Sequence, residues 1–165
     1  MQDSDPFADA ASLPDELINV LDLAQSDEEV HFVRVINFHG DILNGGLDQA
    51  LFNHKLEISD VIQSYRELSM HPIATLLVTA RKQVTISRFW RGLFSRPESD
   101  FDSLYLAMTY NLPYACNDLQ DDAEFPETGI ENDWVDRLAL KYARRNRIYF
   151  SALQAAYDRE RADKS

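Results

Sequence analysis

Apolar residues recur along this chain at spacings of three and four, the period of one buried helix face. Leu17, Val20, Leu21 and Ala24 form the first stripe, opened by Ser12 as cap, Pro14 at the first helical position and Asp15 three residues past the cap. Ser26 and Glu29 have the spacing of a capping box and open a second helix that buries Phe32, Val35 and Ile36. The short gap between these two predicts an αα-hairpin. Leu47, Ala50 and Leu51 continue the pattern, Ser59 caps a helix with Val61, Ile62 and Tyr65, and Ile73, Leu76, Leu77, Ala80 and Val84 extend a longer one from Pro72. The cleanest stripe is Phe101, Leu104, Tyr105, Met108 and Leu112, stopped by Pro113. A final long helix runs from about Asn132 to Arg161, with Trp134, Leu138 and Tyr142 on one side.

No hairpin dipeptide lies between alternating strands, although VTISRFW at 84–90 is extended on propensity alone. The pattern therefore predicts an all-α fold, a single compact domain of about seven helices over residues 12–165. A flexible acidic tail, residues 1–11, precedes it, and no internal repeat is present. The chain's 165 residues, 45% of them hydrophobic, suffice for one core.

Charge changes the picture. The 28 acids and 16 bases give a net charge of −12, a field that repels nucleic acid and anionic membranes, so neither is an expected partner. Residues 1–29 hold nine acids and no base, and residues 98–136 hold eleven acids and no base. Residues 66–96 carry six bases against one acid, and residues 137–147 carry five bases and no acid. Acids and bases either pair across the fold or leave a contiguous acidic face for a basic partner. A single cysteine, no secretory leader pattern in MQDSDPFADA and no membrane-length apolar run point to the cytoplasm.

Catalytic and metal patterns are missing. His31, His39, His54 and His71 are scattered without HExxH or CxxC spacing, and Cys116 lies beside Asn117 and Asp118, a setting that disfavours a thiolate. Aligning Asp118 with the first position of a calcium loop leaves Ala123 where glycine is needed and Gly129 where glutamate is needed. No catalytic residue, metal ligand or cofactor is expected. Arg81, Lys82, Arg88, Arg91, Arg96, Arg144, Arg145 and Arg147 read either as a second binding face or as partners of neighbouring acids and helix C-termini.

Three of the five glycines, Gly40, Gly45 and Gly46, fall within seven residues. Gly45 and Gly46 are adjacent, are followed by Leu47 and come after a helical pattern, so they fit neither a P-loop nor a dinucleotide loop. They fit a helix C-terminus: Asn44 and Gly45 tolerate a left-handed backbone, and Gly46 leaves room for close approach. The next helix then starts at once, with Gln49 and Asn53 one turn apart and able to bond the free groups of the turn.

The string NGGLDQALFN resembles the Asn-Gly-Gly-aromatic-x-Gln-x-Phe-x-Asn hallmark of the bacterial DNA mimic protein family. Asn44, Gly45, Gly46, Gln49, Phe52 and Asn53 fall in register; Leu47 stands where Phe is usual, and Ala50 where Tyr or Phe is common. The resemblance implies a structural role for the motif and a non-enzymatic protein in which carboxylates stand in for phosphates. Its implied partner is a basic DNA-binding protein, a transcription regulator or nucleoid protein, and a homodimer is compatible with it. The acids best placed for such a surface are Asp118, Asp121, Asp122, Glu124, Glu127, Glu131, Asp133 and Asp136, with Asp15, Glu16, Asp22, Asp27, Glu28 and Glu29 second. An immunity-like or antitoxin-like inhibitor of a basic toxin nuclease is the alternative.

Overall fold

A computed structural model describes residues 6–7, 13–90 and 134–164 of the chain. The fold is all-α: the described residues form helices and turns and contain no strand. The helices are α1 (Asp15–Ile18), α2 (Asp27–Asn53), α3 (Ile58–Glu67), α4 (His71–Trp90), α5 (Trp134–Arg145) and α6 (Ser151–Asp163). Single 3-10 turns lie at Leu21–Leu23 and Arg147–Tyr149. The chain divides into two compact units, one of Met1–Asn37 with Glu131–Ser165 and the other Phe38–Ile130.

The first unit closes around aromatic rings. Phe7, Phe32 and Phe150 are fully buried and meet edge to face, with centroids 6.1 Å apart for Phe7 and Phe32, 5.1 Å for Phe7 and Phe150, and 5.5 Å for Phe32 and Phe150. Such a triangle adds quadrupolar attraction to apolar burial. Phe7 belongs to the stretch expected as a free tail; its ring is instead buried in the core, a gain of about 1.5–3 kcal/mol over leaving it in water.

The first stripe buries as expected at Leu17, Val20 and Leu21, but not in one helix. Pro14 stands at the N-cap, α1 is one turn long, and the backbone leaves helical geometry at Val20 (φ −117°, ψ 9°). Bonds from the Val20 amide to the Leu17 carbonyl (3.2 Å) and from Leu23 to Val20 (3.0 Å) tighten the path and keep all three side chains inward. The expected αα-hairpin of these two helices is replaced: α1 and the 3-10 turn pack against α6, which brings the two ends of the chain together.

The Ser26 and Glu29 capping box forms. The Glu29 amide donates to Ser26 Oγ at 3.0 Å, and the Ser26 amide donates to Glu29 Oε2 at 3.1 Å.

In the second unit α3 and α4 pack together as an αα-hairpin, burying Val61, Ile62, Tyr65, Ile73, Leu76, Leu77 and Ala80. Ser59 is not the cap of α3; that position is Glu57, and Ser59 Oγ instead accepts from Arg81 Nη1 at 2.7 Å. The α3–α4 turn is a Schellman motif, with the Met70 amide bonded to the Tyr65 carbonyl at 2.7 Å and the Ser69 amide to the Arg66 carbonyl at 3.0 Å. Ser69 takes the left-handed position (φ 63°). Residues 84–90 are helical, as the end of α4, so their β propensity yields to the helix already under way.

The single long C-terminal helix expected from the pattern is two helices. The apolar phase runs unbroken through Leu138, Ala139, Ala143, Phe150, Leu153 and Tyr157, which is why periodicity reads it as one. Local chemistry breaks it: both the backbone amide and the side-chain amide of Asn146 bond the Tyr142 carbonyl (3.0 and 2.9 Å), and the chain turns into the 3-10 segment. The Phe101 to Leu112 stripe and the Asp118–Gly129 stretch lie outside the described residues.

Candidate functional site

Gly46 is where the NGGLDQALFN segment bends. Its backbone (φ 81°, ψ 168°) interrupts α2, so the helix stops and a new one starts immediately, as the glycine pair predicts. The residue with positive φ is Gly46, rather than Asn44 or Gly45, and its conformation is one that essentially only glycine adopts. At Gly45 a methyl group would meet the carboxamide of Gln49, the far end of an exposed and flexible side chain that can move aside.

Asn53 does not bond the free groups of the turn. Its Nδ2 donates to Asp41 Oδ2 at 3.0 Å, and His54 Nε2 meets the same oxygen at 3.1 Å. One carboxylate before the bend thus holds two side chains after it. His54 also lies edge-on to the buried Phe38 ring, 5.3 Å between centroids. Asn44 and Phe52 are exposed, and Lys55 Nζ lies 4.8 Å above the Phe52 ring. Within the segment, Gly46 takes the bend and Asn53 shares the Asp41 carboxylate, whereas Phe52 faces solvent.

The acids divide by what they already do. Glu29 is fully buried: besides the Ser26 amide, its Oε2 accepts the Gln25 amide at 2.9 Å, and its Oε1 accepts the Leu153 amide at 2.9 Å. It is a structural carboxylate and leaves the list of partner-binding acids. Asp15, Asp22 and Asp27 are exposed, and Glu16 and Glu28 are half-buried. Because α1 packs on α6, Glu16 shares Lys164 with Glu160, at 3.8 and 3.2 Å, and Asn19 Nδ2 donates to Glu160 Oε1 at 3.3 Å.

Glu160 of α6 thus joins the N-terminal acids, a grouping that sequence reading missed because 141 positions separate Asn19 from Glu160. Arg159, Arg161 and Lys164 on the same helix hid it by making the local sequence nearly neutral. Of the first set, Asp136 lies on α5 and is partly exposed, while Asp118, Asp121, Asp122, Glu124, Glu127, Glu131 and Asp133 lie outside the described residues.

Charge is partitioned unevenly between these portions. The described residues carry 15 acids and 14 bases, and the rest of the chain carries the other 13 acids with only two bases. Nearly all of the net charge of −12 therefore belongs to residues outside the described helices, ten of whose acids fall between Glu98 and Asp133. No group of three His, Cys, Asp or Glu among the described residues is placed to hold a metal ion. No described helix is long and apolar enough to cross a membrane.

Residues 24–157 match the family described as DMP19-like protein. No curated protein and no solved structure matches the chain.

Proposed function

The chain belongs to the DMP19-like protein family, the DNA mimic proteins, and from that premise we propose that it is a non-enzymatic, cytoplasmic protein-binding module. In this reading its acids occupy the DNA-binding face of a transcription regulator or nucleoid protein. The observation that carries the reading is the charge partition: a near-neutral helical scaffold of 15 acids and 14 bases, with the excess acid concentrated in one stretch of chain.

Duplex DNA carries one negative charge per roughly 1.7 Å of its axis, and a protein that binds it gains by releasing counterions. A dense set of carboxylates offers the same basic groove a comparable field. The helical scaffold adds to this a bend at Gly46 that the Asp41 carboxylate spans by holding Asn53 and His54. Asp118, Asp121, Asp122, Glu124, Glu127, Glu131, Asp133 and Asp136 are the proposed contact residues.

The test is a pull-down from the native cytoplasm by the full chain and by a variant carrying Asp118→Asn, Asp121→Asn, Asp122→Asn and Glu124→Gln. Wild type should retain a DNA-binding protein that the variant loses, that duplex DNA displaces and that high salt releases. Retention of the same proteins by both would refute this surface. Capture of a nuclease would favour the inhibitor reading.

A further inference from the structure

We infer that residues 52–57, the end of α2 and the turn into α3, are the contact through which two copies of this chain pair about a two-fold axis. Phe52 is 59% and Leu56 91% exposed, and Lys55 and Glu57, on either side of Leu56, are exposed as well. Single apolar side chains on a surface are ordinary, but here two fall within one turn of chain between opposite charges. Phe52 is the one aromatic of the NGGLDQALFN segment, and burial in its own chain does not account for it.

The turn presents these side chains on a fixed backbone. The His54 amide bonds the Ala50 carbonyl at 3.0 Å, the Glu57 amide bonds the His54 carbonyl at 2.9 Å, and the Asp60 amide bonds the Glu57 carbonyl at 2.8 Å. Asp41 holds the His54 side chain, and Leu51 and Ile58 on either side of the turn are buried. Little further conformational freedom is therefore lost when the surface is covered.

Charge selects the occupant. Among the described residues neither Lys55 nor Glu57 forms an ion pair. Lys55 Nζ lies 4.8 Å above the Phe52 ring, a contact that leaves its N–H donors for an anion, and Glu57, the N-cap residue of α3, makes no side-chain cap bond. In a two-fold contact, a residue that meets another is matched by the reverse pair. With Leu56 against Leu56 of the second copy, Lys55 of each copy faces Glu57 of the other.

The patch is thus complementary to itself, apolar at its centre and oppositely charged at its two edges. A wholly acidic or wholly basic partner would satisfy one of these charges and set the other against its like. The net charge of −12 opposes pairing of two copies, but at physiological ionic strength its reach is cut to about 8 Å. A contact of so few side chains is reversible rather than permanent.

The inference does not depend on DNA mimicry, and its readout is self-association of the purified full chain. Sedimentation equilibrium should show a monomer–dimer equilibrium that Leu56→Asp shifts to monomer at an unchanged melting temperature. Lys55→Glu and Glu57→Lys should each weaken pairing about tenfold, because each sets like charges together on both sides of the axis. Net charge alone would move these two variants in opposite directions. An equimolar mixture of them should recover wild-type pairing, since every charge then faces its opposite. The inference falls if wild type stays monomeric at every concentration, if Leu56→Asp pairs as wild type does, or if the mixture pairs no better than either variant alone.

Discussion

Glu29 Oε1 accepts a hydrogen bond from the backbone amide of Leu153 at 2.9 Å, joining residues 124 positions apart. Leu153 is the third residue of α6, whose N-cap, Phe150, has no side-chain acceptor. The same carboxylate accepts the Gln25 and Ser26 amides ahead of α2. One buried side chain thus serves the amino ends of two helices, where amides would otherwise lack partners. Glu29→Ala should destabilise the protein by about 2–4 kcal/mol, by losing the cap and stranding buried amides. Glu29→Gln, which keeps one oxygen, should fall between. Urea unfolding checks this, and an Ala variant with the wild-type midpoint would contradict it.

Two glycines of α2 should respond with opposite sign. Gly46 holds φ 81° and ψ 168°, so Gly46→Ala should cost about 1–3 kcal/mol, and Gly46→Val at least as much. Gly40 lies inside the helix with open space where a Cβ would go, so Gly40→Ala should stabilise by about 0.5–1 kcal/mol. A Gly46→Ala variant that melts no lower than wild type would show the bend is not held by Gly46, and a Gly40→Ala variant that melts lower would contradict the open space there.

Ser69 occupies the left-handed position of the α3–α4 turn at φ 63°, where a Cβ is strained. Ser69→Gly should raise stability by about 0.5–1 kcal/mol, net of the extra freedom glycine has in the unfolded chain. A fall in the thermal midpoint would mean that the serine side chain contributes more than its backbone strain costs.

Phe7 lies 5.1 Å from Phe150 and 6.1 Å from Phe32, ring to ring, and is fully buried. Phe7→Ala should lose about 3–5 kcal/mol, typical of an aromatic ring removed from a core. Removal of residues 1–11 should cost a comparable amount, whereas a free tail would be deleted without effect. Chemical denaturation of both forms against wild type distinguishes these outcomes.

Local physics determined much of this protein. Helical period located about half of the buried apolar residues, the Ser26 and Glu29 spacing correctly predicted a cap, and the adjacent glycines marked a bend with a helix on either side. Those features depend on neighbours within a turn or two, so a linear pattern carries them. The family, too, could be recognised in ten residues, Asn44 to Asn53, and the match over residues 24–157 bears it out.

Tertiary structure decided what depends on partners far away in the chain. Glu29 looks like any acid of an acidic N-terminal stretch until α6 arrives to donate the Leu153 amide; burial then removes it from the surface. Glu160 looks like part of a mixed-charge helix until α1 docks and Glu16 shares Lys164 with it. Phe7 looks like tail until Phe32 and Phe150 enclose it. In each case the residue's own chemistry is unchanged, and its role is set by solvent exposure and by which groups it comes to touch, quantities that only the folded chain possesses.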